Sequence, residues 1–367
     1  MKKKVVYLCQ RWTTGGIESI ITKILHYINK DNYEFEILVS QKETDIFDNE
    51  LNSLNINIVQ LNKKIKKNPI IRNIETFYKI VKYFKKEKKD IIHINIYNSM
   101  SCIYALIADF CGIHKIILHS HNSGFDNDYF KIKLLLNNVC KKIFYNKKYT
   151  YIACSNDAAK FCFNKKALEK CQIINNGIYI DDFLFNEDIR KKYRKKLNID
   201  NSFVVGNVGR LVEQKNQLRL INIFSNIKKI SKNSKLIIVG EGSLEKDLIK
   251  EINEKRIQND VIILKKRKDV NNILQAMDCF VFPSLYEGYG IVAIEAQASG
   301  LPTFIADNLS EQIFATENSY GISLKNSDID IAKFILKKSQ KLKRKSPVMK
   351  KYDIRNMVNR ILECYET

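Results

Sequence analysis

The stretch EGYGIVAIE at residues 287–295 predicts a loop that enters a helix beside a ligand. The apolar run before it, 278–284, is typical of a buried strand in a parallel sheet. Glycines between strand and helix let a ligand approach the backbone closely, and the helix N-terminus offers unpaired N–H groups. We therefore expect an anion site flanked by the carboxylates of Glu287 and Glu295, which suits a sugar nucleotide. An ordinary tight turn is the alternative for this stretch taken alone.

Two upstream segments repeat the succession of strand, loop and helix. FVVGNVGRLVEQKN at 203–216 predicts a strand followed by a polar loop, and LIIVGEGS at 236–243 predicts a second strand with a glycine-rich turn. Open α/β sheets bind ligands beyond the carboxyl ends of their strands. We therefore expect Arg210 and Lys215 at a ligand-binding edge.

These motifs, in this order, resemble the retaining glycosyltransferases of family 4. The resemblance begins at GGIE, 15–18, continues through HSHN, 119–122, and NNGI, 175–178, and ends at GLP, 300–302. It implies an α/β protein with the GT-B fold, in which two Rossmann-like domains with parallel sheets face each other across an interdomain cleft. In that fold a C-terminal helix crosses back to the first domain.

The length of 367 residues suits two such domains. We expect an acceptor-binding Rossmann-like domain at 1–185, completed by the C-terminal helix at 352–367. A sugar-nucleotide-binding domain is expected at 186–351. The break is placed near residue 185 because a charged segment there precedes the strand that starts a new sheet.

The resemblance also implies roles for single residues. Arg210 and Lys215 would stabilise the charge that grows on the leaving diphosphate, together with backbone amides. Glu287 would bind hydroxyls of the donor sugar and Glu295 those of the ribose. His121 would lie near the donor sugar, with His119 as the alternative. The expected catalytic and donor-binding residues are Gly15, Gly16, His121, Arg210, Lys215, Glu287, Gly288, Tyr289, Gly290, Ile291 and Glu295.

The sequence predicts neither a metal site nor a bound cofactor. Its nine cysteines form no C-x-x-C pair, and its five histidines are not grouped with them at the spacing of zinc ligands. The expected donor is a nucleotide-diphosphate sugar of the UDP or GDP type. Lys265 stands where family members commonly have a glycine in the loop that approaches the nucleotide base. The sequence therefore does not predict which base the donor carries.

The formal net charge of +22 has three interpretations. It reflects solvated lysine-rich helix faces, nucleic-acid binding, or attraction to the anionic inner leaflet of a membrane. The resemblance favours the membrane, because many such transferases act on lipid-linked acceptors, and no nucleic-acid-binding motif accompanies the charge. We expect lysines at 63–67 and 85–89 to contribute. The N-terminus predicts a first strand rather than a signal peptide, and no apolar run is long enough to span a membrane. We therefore expect a cytoplasmic protein, peripheral on the inner membrane face.

The resemblance implies a metal-independent retaining glycosyltransferase that moves a sugar from a sugar nucleotide to a glycan or lipid-linked acceptor. Bacterial surface polysaccharide synthesis is the expected setting. Two other functions stay open at this point. One is a nucleotide-sugar epimerase of similar architecture, and the other is a non-catalytic sugar-nucleotide-binding partner.

Overall fold

The computed structural model describes residues 2–13, 15–63, 69–124, 130–265, 267–339 and 344–366. The chain divides into two compact units, one formed by Met1–Gly177 with Lys351–Thr367 and the other by Ile178–Lys350. The sequence places this break near residue 185. Of the lysine run predicted at 63–67, residues 64–67 lie outside the described part of the chain.

The first unit is a parallel sheet of seven strands in the order β3-β2-β1-β4-β5-β6-β7. β1 lies inside the sheet between β2 and β4, and Val5 to Cys9 within it are buried because helices cover both faces. The strands are β1 (Lys3–Trp12), β2 (Tyr33–Lys42), β3 (Asn57–Gln60), β4 (Ile91–Ile96), β5 (Lys115–Ser120), β6 (Thr150–Ala153) and β7 (Gln172–Ile173). The helices are α1 (Gly16–Tyr27), α2 (Asp48–Ser53), α3 (Pro69–Lys86), α4 (Ile103–Phe110), α5 (Phe130–Ile143), α6 (Asn156–Cys162) and α7 (Lys165–Leu168).

The second unit is a parallel sheet of six strands in the order β10-β9-β8-β11-β12-β13. Its core is built from apolar residues of the central strands and of the helices that cover them. The strands are β8 (Phe203–Val208), β9 (Ser234–Val239), β10 (Val261–Leu264), β11 (Cys279–Phe282), β12 (Thr303–Ala306) and β13 (Ser319–Ile322). The helices are α8 (Glu187–Lys196), α9 (Gln217–Ile230), α10 (Glu245–Glu254), α11 (Val270–Ala276), α12 (Ile291–Ala298) and α13 (Asp328–Ser339).

The last helix, α14 (Ile354–Glu366), belongs to the first unit. Ile354, Met357, Val358 and Ile361 form an apolar stripe that is buried there. Gly177 permits this contact, because a Cβ at that position would lie 2.5 Å from the Cα of Ile354. None of the helices in the described ranges is long and apolar enough to cross a membrane.

Candidate active site

Arg210 follows β8 where two backbone segments of the second unit touch. The N–H of Leu211 donates a hydrogen bond of 2.9 Å to the carbonyl of Glu241, in the turn after β9. A Cβ at Gly240 would lie 1.9 Å from the carbonyl oxygen of Gly209, so a side chain at that position would force the two segments apart. The backbone on both sides of Arg210 is therefore held in place, while its guanidinium is exposed to solvent.

Hydrogen bonds join the loop after β8 to the loop after β11. The N–H of Leu285 donates to the carbonyl of Gln214 at 2.9 Å, and the Gln214 amide donates to the carbonyl of Tyr286 at the same distance. The Asn216 amide donates to the carbonyl of Pro283 at 3.1 Å. Because β8 and β11 are neighbours in the sheet, these bonds hold both loops as one surface at its carboxyl edge.

Lys215 and Glu287, expected to contact different parts of a donor, form an ion pair with each other. The Nζ of Lys215 lies 2.6 Å from Oε1 of Glu287, and the two side chains are only 14% and 7% exposed. The ammonium also lies 5.2 Å from the centre of the Phe282 ring. The pair is neutral overall. We therefore assign anion binding at the carboxyl edge of this sheet mainly to Arg210 and to the start of α12.

The start of α12 depends on Gly290, the N-cap residue. Gly290 adopts a left-handed conformation with φ of 73°, and a Cβ there would lie 3.0 Å from Cδ1 of Ile313. The first amides of a helix lack intrahelical acceptors and can bind an anion. In α12 these are the amides of Ile291 and Val292, because the N–H of Ala293 donates to the carbonyl of Gly290 at 2.9 Å. Beside them, Tyr289 is buried and Glu295 is half-buried in the second turn. Gly288, in the same loop, is also partly buried.

In the first unit, Gly15 and Gly16 open α1 beside a buried carboxylate. The backbone N–H and the hydroxyl of Thr13 both donate to Oε1 of Glu18 at 2.9 Å, and Glu18 is fully buried. A Cβ at Gly15 would lie 2.7 Å from the other carboxylate oxygen. Glu18 therefore supports the glycine loop, a role that its place in the GGIE motif did not reveal.

His121 lies just beyond β5 and is buried against His119, with ring centres 4.0 Å apart. Asn95, in β4, directs its amide nitrogen to the carbonyl of His93, so its Oδ1 accepts a bond of 2.9 Å from Nε2 of His121. Nδ1 of His121 is left as a buried acceptor without a partner among the described residues. Burial lowers the pKa of His121 to about 3, so the ring is neutral at physiological pH.

A second buried chain reaches His119 from α14. The hydroxyl of Tyr365 donates to that of Tyr7 at 2.7 Å, so it accepts from Nδ1 of His93 at 2.9 Å. Nε2 of His93 must then accept from Nδ1 of His119, at 3.1 Å. This leaves Nε2 of His119 as an acceptor too. Burial lowers the pKa of His93 to about 3 and that of His119 well below its usual value.

The comparisons with known proteins agree across both units. A model described as Glycosyltransferase Family 4 matches residues 14–182, and one described as Glycosyl transferases group 1 matches residues 189–352. The chain belongs to glycosyltransferase family 4. This confirms the family and the glycosyltransferase activity that the sequence motifs predicted.

Individual relatives extend along most of this glycosyltransferase. EpsF of Bacillus subtilis (strain 168) is 26% identical over 319 residues, which are 86% of this chain and 82% of EpsF. The Escherichia coli UDP-Gal:alpha-D-GlcNAc-diphosphoundecaprenol alpha-1,3-galactosyltransferase is 28% identical over 271 residues, 71% of this chain and 69% of that enzyme.

Among solved structures, HepE of Anabaena in complex with UDP and glucose superposes with a TM-score of 0.80 over 100% of both chains, at 20% identity. This likeness, with two parallel sheets covered by helices, confirms the α/β GT-B fold that the sequence predicted.

Proposed function

We propose that this glycosyltransferase is a retaining enzyme that moves a sugar from a nucleotide-diphosphate sugar of the UDP or GDP type to a glycan or lipid-linked acceptor. The observation that carries the proposal is the exposed Arg210 at the same sheet edge as the Gly290-capped start of α12. A cation and the amides at a helix N-terminus together suit a diphosphate. The names of HepE's ligands and of the Escherichia coli enzyme's substrates support the donor and the acceptor.

In this proposal the second unit binds the donor. Arg210 and the amides at 288–291 stabilise the diphosphate as the glycosidic bond breaks. Lys215 holds Glu287 in place through the 2.6 Å ion pair, so that the carboxylate can accept hydrogen bonds from hydroxyls of the sugar. Glu295 binds the ribose hydroxyls. The departing phosphate takes the proton of the acceptor hydroxyl, so neither glutamate acts as a nucleophile.

The first unit contributes binding groups rather than proton transfer. His121 is neutral at pH 7 because burial lowers its pKa to about 3, and a neutral ring is a poor general acid. We propose that its unpartnered Nδ1 accepts a hydrogen bond from a hydroxyl of the donor sugar. His119, whose Nε2 is also unpartnered among the described residues, is the alternative. Gly15 and Gly16 would approach phosphate oxygens through their backbone.

We also propose that the enzyme is cytoplasmic, works at the anionic inner face of the membrane and takes part in bacterial surface polysaccharide synthesis. The net charge of +22 supports attraction to that surface. In the run 85–89, Lys85, Lys86 and Lys88 are exposed and suit this role. Lys89 does not, because its side chain is 7% exposed and lies 2.6 Å from the carboxylate of Glu36.

The test is incubation of the purified protein with UDP- and GDP-sugars and an undecaprenyl-diphosphate-linked sugar as acceptor. We expect the acceptor to gain one sugar with the anomeric configuration of the donor. Because Arg210 and backbone amides stabilise the leaving group, the product should also form in EDTA. A donor that is converted to its epimer, or bound without any product, would contradict the proposal.

A further inference from the structure

Helix α5 of the first unit carries an apolar stripe that faces solvent. Its members recur three or four residues apart, so they lie on one side of the helix. Each is between 46% and 68% exposed, whereas residues at such spacing usually face a core. The stripe consists of Ile132, Leu135, Leu136, Val139 and Ile143.

The opposite side of α5 is attached to the unit by a polar residue. Asn137 is fully buried, and its Oδ1 accepts a hydrogen bond of 2.7 Å from the N–H of Ser99. Its amide nitrogen donates to the carbonyl of Phe161 at 3.0 Å. Because both groups of this amide are satisfied inside the unit, α5 is held with its apolar stripe outward.

Lysines border the apolar stripe on both sides. At about 100° of rotation per residue, Lys133 falls on one flank of the stripe and Lys142 on the other. Residues 130–143 contain four lysines and no aspartate or glutamate. Such a helix matches a surface that is apolar inside and anionic outside. Two copies of α5 would instead bring lysines against lysines.

We propose that α5 lies in the interface of an anionic lipid bilayer, with its apolar stripe among the acyl chains and its lysines at the headgroup phosphates. The inference rests on the proposed action at the inner membrane face and names the part of the chain that makes the contact. It differs from attraction by net charge alone, because apolar side chains enter the bilayer and salt should weaken binding only in part.

The first experiment compares two triple serine variants in sedimentation with vesicles of phosphatidylglycerol and phosphatidylcholine. One carries Ile132→Ser, Leu135→Ser and Val139→Ser. The matched control carries Leu184→Ser, Ile230→Ser and Ile249→Ser, which replace apolar residues of the second unit with exposures of 43% to 49%.

The α5 variant should bind the vesicles at least about tenfold more weakly than the native protein. The control variant should bind them as the native protein does. Transfer to a short soluble acceptor should be unchanged in both.

A second experiment places a reporter on the stripe. The chain has one tryptophan, Trp12, which is fully buried. In Leu135→Trp the added indole should shift its emission to the blue and be quenched by brominated lipid when anionic vesicles are added. The same reporter at Ile249 should not respond.

Three outcomes would overturn the inference. The native protein could fail to bind anionic vesicles at low salt, the α5 variant could bind as tightly as native, or the variant could change only the oligomeric state, which would indicate a second copy on the stripe. Tight binding by the α5 variant would leave the proposed peripheral location standing. Absence of any transfer by the native protein, to soluble as well as lipid-linked acceptors, would instead contradict the proposed function.

Discussion

Arg210 and Lys215 differ in what they contribute to the folded state. Arg210 is exposed, so its charge stays solvated in the folded state. Lys215 neutralises Glu287 in a pair whose members are 14% and 7% exposed. Removing one member of such a pair leaves an uncompensated charge in a poorly solvated place. The two cations can therefore be separated by stability as well as by activity.

We predict that Arg210→Ala reduces transfer about 100-fold and changes the free energy of unfolding by less than about 0.5 kcal/mol. Lys215→Ala should also reduce transfer, but it should destabilise the second unit by about 3 kcal/mol. Urea unfolding and initial rates measure both effects. The double variant Lys215→Ala, Glu287→Gln should recover part of the lost stability. Equal stability of the two single variants would contradict the assigned difference.

We predict that substitutions of Glu287 and Glu295 have different effects on nucleotide affinity. Glu295→Gln should weaken binding of the bare nucleotide diphosphate, because the ribose contact does not require a sugar. Glu287→Gln should leave that affinity nearly unchanged and lower turnover. Titration calorimetry with UDP and GDP, beside rate measurements, tests this division. It is wrong if both substitutions weaken nucleotide binding to the same degree.

Among the elements, α14 contributes both an apolar stripe and a hydrogen-bonding side chain to the core of the first unit. Tyr365, near its end, completes the buried chain from Tyr7 through His93 to His119. That chain requires a particular tautomer of each ring, because every hydrogen bond needs one donor and one acceptor. The helix therefore positions the histidines beside the proposed sugar contact.

We predict that Tyr365→Phe removes the acceptor of the His93 Nδ1 proton and shifts the tautomers of His93 and His119. Nitrogen-15 chemical shifts of the imidazoles report this directly. Unfolding should become easier by about 1–2 kcal/mol, the effect of one lost buried hydrogen bond. Tyr33→Phe is the control, since its ring packs 5.7 Å from Tyr365. Unchanged imidazole shifts in Tyr365→Phe would refute the positioning role.

For the whole molecule, the two units differ in histidine content. All five histidines precede residue 122, and three of them are buried in the core of the first unit. Burial lowers the pKa of His93 and of His121 from 6.5 to about 3. Below pH 6.5 the unfolded chain takes up protons that the folded unit does not, so the folded state loses stability as the pH falls toward 3.

We predict that the first unit unfolds at lower urea concentration at pH 5 than at pH 7. Each buried histidine contributes up to about 1.4 kcal/mol per pH unit. Trp12 fluorescence reports on this unit alone, because it is the single tryptophan. A midpoint that stays constant from pH 7 to pH 5 would contradict the buried, neutral histidines.

Much of the fold follows from local sequence pattern. Apolar runs such as 278–284 and 203–208 predict strands, and glycines or polar residues after them predict the loops at the carboxyl edge. The structure places β11 and β8 within those runs, with Arg210 and Gly290 in the loops that follow. These predictions succeed because side-chain period and turn chemistry act between residues close in the chain.

The sequence by itself determined the succession of strands and helices, the GT-B fold and the positions of the glycine loops. Only the tertiary structure decided which polar groups meet: Lys215 pairs with Glu287, 72 residues away, and Tyr365 with His93, 272 residues away. It also decided that α5 turns its apolar stripe outward, because periodicity reveals that a helix has an apolar face but not which side packs on the sheet. Such contacts depend on strand order and helix docking, which arise from packing between residues distant in the chain.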